Sequence, residues 1–431
     1  MIDKKRKVVL FGAGAVIPWG APSTKCLTDL LIKDSASSFI CNDNQTKVIQ
    51  FIVDTLITKE SEINFETIID VVEEFIVHYS YIQRKKKHSK SKIFFDSKFE
   101  NILSNFSIAG GEEKHGYHLE IPKGKEYPFS KIAIDNQSPP QFYFQHLLSE
   151  LLTTIVSQIS HYSYHSKGNS KIDASENAKR NKWFQDWYSI ISKDACVRMY
   201  TLNYDRLYKV LVEKIGISVF EGFESGEFIP EKHTLPNIKR ILTDFDSPVY
   251  YNLHVSSFWE VHSRDERGLK HLTITLRPYP ILDMNKDENY TTEIDKERNV
   301  VVSNIITGYQ KAQKSFLSPF RQMQSAFDKD CILCNDLIVI GYSFGDSHIN
   351  SSIVTALISN PKLKLHFIDP AYSGDEGYNL LVNRLIFIFN SIINKSELGD
   401  PVYSLDKNSC SYFDGKLTVT SVGFEEYLSK L

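Results

Sequence analysis

The chain has 431 residues, and its 42% hydrophobic and 12% aromatic content suffices for two domains or for one domain with a large insertion. Lys+Arg is 50 and Asp+Glu is 53, so the formal net charge of −3 gives no indication of nucleic-acid binding. No apolar run reaches the ~18 residues needed to cross a bilayer, and six scattered cysteines fit a reduced, cytoplasmic protein better than a disulfide framework.

The first residues predict a strand, a glycine loop and a helix. Residues 7–11 form a compact β-branched run that stops at glycines, and residues 24–32 have helical spacing. A basic start and a short apolar run also fit a signal peptide. A strand that ends at a glycine-rich ligand loop explains the same residues better, so we predict a first β-strand here.

Residues 35–194 predict a helical insertion. Apolar residues spaced three and four apart, which is typical of amphipathic helices, recur over residues 48–57, 65–82, 142–164 and 176–194. The basic run at residues 84–92 is interpreted as a solvated loop, because a block of like charge is more often solvated than bound to nucleic acid.

From residue 195 onward, strands alternate again with helices. Apolar runs at residues 197–202, 247–255, 336–344 and 362–370 predict strands, and helical segments follow several of them. This alternation predicts an α/β fold with a Rossmann-like doubly wound parallel sheet. The predicted organisation is a discontinuous sheet domain, residues 1–34 and 195–390, with the helical insertion inside it and a strand–helix extension over residues 391–431.

Glycines follow the first predicted strand in the segment FGAG. Gly12 and Gly14 would let the backbone approach a pyrophosphate that lies at a helix N-terminus. Ile17 stands where the full dinucleotide-binding fingerprint has a third glycine, so a plain tight turn is the alternative.

Polar residues follow the next two predicted strands. Asn203 and Asp205 come directly after the strand in TLNYD, although both residue types are unfavourable in strands and in helix interiors. At the mouth of a buried strand such residues often contact a ligand. His254 follows an apolar run, and its imidazole suits general-base catalysis, whereas a lone histidine among 13 is more often structural.

Two later predicted strands also end in polar or glycine residues. Gly341, Ser343 and Asp346 follow one strand and Asp369 follows the other, and open α/β sheets bind ligands at this carboxyl edge. An acid at position 369 suits a hydrogen bond to a ribose hydroxyl. The alternatives are that Asp346 caps the next helix and that Asp369 belongs to an Asp-Pro turn.

The order of these segments resembles the sirtuin-like NAD-consuming family. The matching segments are Gly12-Ala13-Gly14, Thr201–Asp205, Asn252–Ser257 and Gly341–Asp346, and the resemblance covers residues 5–25 and about 195–375. It implies that NAD binds between a Rossmann-type domain and a smaller module, and that its bond between nicotinamide and ribose is cleaved.

The resemblance also implies residue roles. Asn203 would orient the water or nucleophile, His254 would act as general base at the nicotinamide ribose, and Asp205 would order the Asn203 loop. The residues that it implies for NAD binding are Gly12, Ala13, Gly14, Thr201, Gly341, Ser343 and Asp369.

The chain departs from the deacetylating branch of that family. That branch carries two CxxC pairs shortly after its histidine, whereas here Cys331 and Cys334 form one pair and no cysteine lies between His254 and Cys331. A four-ligand zinc site needs a second pair or suitably spaced histidines, so no metal is expected. Val16 and Val255 replace the family's serine and glycine, which removes a hydroxyl near the phosphates and could narrow the cleft.

The zinc-less branch with inserted helices resembles bacterial NAD hydrolases of antiphage defence, which deplete NAD when infection is sensed. By length and architecture, the resemblance implies a separately encoded HerA-type ATPase as partner, and the helical insertion is the candidate surface for a homo-oligomer or for that partner. The charge pattern and the apolar runs described above predict no direct nucleic-acid contact and no membrane. Two alternatives stay open: a non-hydrolysing NAD- or nucleotide-binding sensor, favoured by Val16 and Val255, and a protein deacylase or ADP-ribosyltransferase.

Overall fold

The computed structural model describes residues 5–37, 39, 46–57, 63–83, 107–111, 116–121, 125–128, 139–163, 171–225, 234–266, 269–278, 280, 291–295, 298–301, 317–373, 377, 380, 402–403, 408–412 and 415–431. The basic run at residues 84–92 lies outside them. None of the helices in this part of the chain combines the length and the apolar character that a membrane span requires.

The described chain contains both helices and strands, in runs of one type as well as in alternation. The helices are α1 (Thr24–Lys33), α2 (Val48–Ile57), α3 (Phe65–Gln83), α4 (Pro139–Ser163), α5 (Ser175–Ser192), α6 (Leu207–Glu213), α7 (Ile238–Thr243), α8 (Phe320–Leu333), α9 (Ser347–Ser359) and α10 (Phe424–Ser429). The first strands are β1 (Lys5–Phe11), β2 (Ser107–Gly111), β3 (Gly116–Ile121), β4 (Lys125–Pro128), β5 (Ala195–Thr201), β6 (Phe223–Ser225), β7 (Thr234–Pro236) and β8 (Val249–Asn252). The remaining strands are β9 (Trp259–Glu266), β10 (Leu269–Leu276), β11 (Thr291–Asp295), β12 (Arg298–Val301), β13 (Asp336–Ile340), β14 (Lys364–Ile368), β15 (Val402–Tyr403), β16 (Ser409–Tyr412) and β17 (Leu417–Thr420).

The main sheet has a Rossmann-like strand order. Strands β8, β5, β1, β13, β14 and β17 lie side by side in that order, and every neighbouring pair is parallel. Numbered by their appearance in the chain, these six strands follow the order 3-2-1-4-5-6, which is that of the doubly wound dinucleotide-binding fold. Strands β16 and β15 extend the β17 edge in antiparallel pairing. The predicted α/β fold with a doubly wound parallel sheet is confirmed.

The sheet is buried on both faces, because helices cover each side. Val9 and Phe11 of β1 pack into one core, while the alternating Val8 and Leu10 pack into the other. All seven residues of β5 are buried, as expected of a central strand in a parallel sheet that is covered on both faces. The strand also carries the buried Arg198, whose guanidinium pairs with the buried carboxylate of Asp330. Burial of each large apolar side chain of β1 contributes about 2 kcal/mol to the free energy of unfolding.

The inserted region is not purely helical. The predicted helices are present as α2, α3, α4 and α5, but β2, β3 and β4 form a three-stranded antiparallel sheet that the helical spacing did not predict. The last of these helices packs on the main sheet, since the Phe184 ring lies 6.4 Å from that of Phe11.

The chain's C-terminal strand belongs to the main sheet. Strand β17 pairs in parallel with β14, so the predicted strand–helix extension contributes the sixth parallel strand and α10 packs against α5. The predicted domain boundaries themselves stay a prediction.

Candidate functional site

The sequence-predicted site residues lie along one edge of the main sheet. Strand pairing aligns Asn252, Thr201, Phe11, Ile340 and Ile368 in a single row across five neighbouring strands. Because the strands are parallel, this row marks their common carboxyl edge. The segments that follow the row carry Gly12, Asn203, His254, Gly341 and Asp369.

This row crosses the point at which the strand order reverses, between β1 and β13. Open α/β sheets bind ligands in the crevice at such a switch point. The topology therefore brings together the four segments that the sequence analysis selected.

The glycine loops after β1 and β13 pack backbone against backbone. The N–H of Gly12 donates to the carbonyl of Ile340 and the N–H of Gly14 donates to the carbonyl of Gly341, both at 2.9 Å. A Cβ atom on Gly12, Gly14 or Gly341 would overlap backbone atoms of the facing loop. Gly341 also has a φ of +60°, which favours glycine. The close packing of the two loops is therefore sufficient to explain the three glycines, without reference to a bound ligand.

The chain after Gly14 differs from the dinucleotide fingerprint. Two short 3₁₀ turns, Ala13–Ala15 and Ile17–Trp19, precede α1, whose N-cap Ser23 accepts a bond from the N–H of Cys26 at 3.1 Å. The glycine loop thus leads into a 3₁₀ turn and not directly into an α-helix. The Tyr208 hydroxyl supports this turn by donating to the carbonyl of Ala15 at 2.5 Å.

Asn203 ties the loop after β5 to the first glycine loop. Its side-chain amide donates to the carbonyl of Gly12 at 3.0 Å, and its N–H donates to the Thr201 hydroxyl at 3.0 Å. Asn203 is only 7% exposed. Thr201 is fully buried, so its hydroxyl serves the internal network of the loop and does not line the cleft surface.

Asp205 holds the same loop from inside the protein. One carboxylate oxygen accepts from the N–H of Leu207 at 2.8 Å, and the other accepts from the Tyr162 hydroxyl at 2.8 Å. Burial raises the pKa of the fully buried Asp205 carboxyl above its usual value, while these two hydrogen bonds oppose that rise. Its contacts fit the expected role of ordering the Asn203 loop.

Asn252, the last residue of β8, connects the Asn203 loop to the segment that carries His254. Its side-chain amide lies 2.9 Å from the carbonyl oxygen of Asn203 and 3.2 Å from that of Asp205. Ser257 adds a second connection, because its N–H donates to the carbonyl of Tyr204 at 2.8 Å. The loops after β5 and β8 are therefore bound into one unit.

His254 faces acidic and imidazole groups from the opposite half of the sheet. Its Nε2 atom lies 3.7 Å from Oδ1 of Asp346, and its ring centroid lies 5.5 Å from that of His348. The His254 side chain is 5% exposed and that of Asp346 is 18% exposed. This places a potential proton acceptor next to a carboxylate at the mouth of the cleft.

Two non-glycine residues in the left-handed region flank this pair. Val255 has a φ of 82° and Phe344 has a φ of 61°. A β-branched residue in this region is a genuine outlier, and strained backbone of this kind costs about 1–3 kcal/mol. Val255 therefore has a backbone conformation that glycine adopts without strain, and its side chain is buried in the core.

The remaining residues that the sequence analysis singled out differ in solvent exposure. Ala13 and Ser343 are exposed. Asp369 accepts a bond from the N–H of Ala371 at 2.8 Å, so it forms the Asp-Pro turn that the sequence allowed. Val16 is buried with the core residues and does not reach the cleft.

Cys331 and Cys334 are buried within the core. Burial raises the pKa of both thiols above the usual value, the pKa of Cys334 to about 12. Across the described ranges, no group of three or more His, Cys, Asp or Glu side chains is arranged to hold a metal ion.

Sequence reasoning missed three residues that organise this site: Asn252, Tyr162 and Tyr208. Asn252 could have been found, because an asparagine that ends an apolar strand is as unusual as Asn203. Tyr162 lies 43 residues from its partner Asp205 in a different segment, and nothing local marks it.

The chain resembles known proteins only distantly. No protein-family model matches the chain, and no curated protein matches it. A solved structure of a serine-to-alanine mutant of a Sir2 homologue, in complex with ADP-ribose, is 11% identical, and the match covers 91% of this chain and 96% of that chain with a TM-score of 0.29. A TM-score this low carries no argument, so the fold assignment rests on the strand order described above.

Proposed function

We propose that this protein is an NAD hydrolase that cleaves the bond between nicotinamide and ribose, giving nicotinamide and ADP-ribose. One observation carries the proposal. The Asn203 and His254 segments meet the two glycine loops at the switch point of a Rossmann-like sheet, in the order that resembles the sirtuin-like family.

The residues support a mechanism based on positioning. Water attacks the anomeric carbon of the ribose, the bond from that carbon to nicotinamide breaks, and nicotinamide leaves with the bonding electron pair. His254 accepts the proton that the water loses, and the Asn203 amide, held by the Gly12 carbonyl, orients the reacting groups. Because nicotinamide is a good leaving group, orientation and a water-shielded pocket supply much of the rate.

The cellular role that we propose is that of an antiphage defence effector that depletes NAD. The support is the resemblance of the segment order together with the inserted helices. A homo-oligomer and a separately encoded HerA-type ATPase partner belong to the same proposal. A cytoplasmic location fits the six scattered cysteines and the cellular pool of the proposed substrate.

The test is nicotinamide release from NAD by the purified chain, alone and with any ATPase encoded beside it. We expect release by the wild type and its loss in Asn203→Ala. Asn360→Ala is the matched control, because the Asn360 side-chain amide likewise donates to backbone carbonyls, those of Ile332 and Cys334, but lies near the opposite edge of the sheet.

Two outcomes would replace the proposal. If NAD raises the melting temperature of the protein but no nicotinamide is released with or without the ATPase, the sensor alternative replaces the hydrolase. The strained backbone of Val255 favours this alternative. Transfer of labelled ADP-ribose to protein would select the transferase alternative.

A further inference from the structure

Asp346 occupies a helix-capping position but does not cap its helix. It is the N-cap residue of α9, and its side chain forms no capping hydrogen bond. Aspartate is among the residues most favoured at the N-cap, where its carboxylate accepts from a free backbone N–H of the first helical turn. The Asp346 carboxylate therefore does not form the hydrogen bond to the first turn of α9 that its position would allow.

One oxygen of the Asp346 carboxylate faces the imidazole of His254. The 3.7 Å between Asp346 Oδ1 and His254 Nε2 is within ion-pair reach once the imidazole is protonated. Because His254 is buried and Asp346 is largely buried, their interaction is screened less than that of an exposed pair. An opposite charge at this distance favours the protonated form of a histidine.

The backbone of Asp346 is held in place by its neighbours. The Tyr342 hydroxyl lies 3.1 Å from both the carbonyl oxygen and the N–H nitrogen of Asp346. The N–H of Asn350 donates to the Asp346 carbonyl at 3.0 Å, and the Asn350 side-chain amide donates to the carbonyl of Phe344 at 2.9 Å. These hydrogen bonds fix the backbone at the start of α9 and hold the Asp346 backbone beside His254.

We propose that Asp346 is a positioning residue for His254. It orients the imidazole and stabilises the imidazolium that forms when His254 accepts the proton of the attacking water. The inference rests on the proposed function, in which His254 is the base. An aspartate that orients a catalytic histidine without itself taking the proton is a general arrangement in hydrolytic enzymes.

The experiment follows the His254 ring directly. NMR of protein labelled with ¹⁵N-histidine, with the signal assigned by its absence in His254→Gln, reports the protonation of this ring as a function of pH. We expect Asp346→Asn to lower the titration midpoint of His254 by about one pH unit. The ring of His348, which lies against that of His254, is followed in the same spectra.

Asp336→Asn is the matched control, because it makes the same charge change at the amino end of β13. We expect it to leave the His254 midpoint in place, and Asp346→Glu to restore most of the wild-type behaviour. A midpoint that is the same in wild type and Asp346→Asn, with the His254 signal otherwise native, overturns the inference.

The catalytic consequence is measured separately. We expect Asp346→Asn to lower kcat by at least about tenfold while KM stays within about threefold, because the residue acts on the base and not on the ligand. If the wild type releases no nicotinamide, the proposed function fails while the NMR result still decides whether Asp346 positions His254. If kcat is unchanged in Asp346→Asn, the positioning role is rejected even where hydrolysis is established.

Discussion

The two halves of the carboxyl edge are built differently. In the half formed by β5 and β8, the polar side chains of Asn203, Asp205, Asn252 and His254 are all buried, and hydrogen bonds tie the two loops together. In the half formed by β13 and β14, Ser343 is exposed and the glycine loop is held mainly by its backbone. The first half is thus preorganised by side chains, whereas the second offers an open surface.

The difference matches the demands of the proposed reaction. Groups that act on a reacting bond need a geometry held within a fraction of an ångström, which buried hydrogen-bond networks provide. A surface that only binds one end of a long ligand tolerates more movement. Substitutions in the first half should therefore change turnover and stability, and those in the second half should change ligand affinity.

Asn252→Ala should have the largest effect. It removes the amide that donates to the carbonyls of Asn203 and Asp205 and leaves both carbonyls buried. We expect nicotinamide release to fall about a hundredfold because the Asn203 loop shifts, and the free energy of unfolding to fall by about 2 kcal/mol. Steady-state kinetics and denaturant unfolding measure both. Turnover that stays at the wild-type level would contradict the idea of a preorganised half.

Tyr162→Phe should have an intermediate effect. It removes the hydroxyl that donates to the buried Asp205 carboxylate, so the pKa of Asp205 rises further and the free energy of unfolding falls by about 2 kcal/mol. We expect turnover to fall about tenfold, with KM little changed.

The control for this prediction is Tyr188→Phe on α5, which changes another buried tyrosine of the same core. Hydrogen exchange of the Leu207 amide, whose N–H donates to Asp205, reports the order of the loop without relying on turnover. Faster exchange at Leu207 in Tyr162→Phe, and not in Tyr188→Phe, is the expected result. Equal exchange in the two variants would show that Tyr162 does not order the loop.

Ser343→Ala should have the smallest effect and should act on binding. Its exposed hydroxyl offers a hydrogen bond to the ligand, so we expect KM to rise about two- to tenfold while kcat is unchanged. The free energy of unfolding should change by less than about 0.5 kcal/mol. Ser351→Ala, an exposed serine whose hydroxyl bonds the Ser347 carbonyl of its own helix, is the control. A fall in kcat would place Ser343 with the preorganised half instead.

The sequence predicted those parts of the fold and of the candidate site that depend on local patterns. Continuous apolar runs indicated the strands around Phe11 and Ile340, and the glycines that follow them indicated loops whose backbone can be approached closely. That the two loops pack against each other became visible only in the structure. The segment order pointed to Asn203 and His254, and the strand register explains why this order matters, since it aligns their strands in one row.

Features that depend on long-range packing could not be predicted. No local signal connects Tyr162 with Asp205, since they lie in different segments of the chain. Aspartate before a helix predicts a cap, yet the carboxylate of Asp346 lies near His254 because the fold brings the two strand ends together. A valine gives no indication of a left-handed backbone, so the strain at Val255 became visible only in three dimensions.

The bond between Tyr162 and Asp205 also limits how far the protein can be shortened. Replacing residues 139–163 by a short linker would remove none of the six parallel strands of the main sheet. It would nevertheless remove the hydroxyl partner of a buried carboxylate and much of the apolar packing around it. A minimal version for engineering should therefore keep α4, or supply a replacement donor from a residue grafted near position 205.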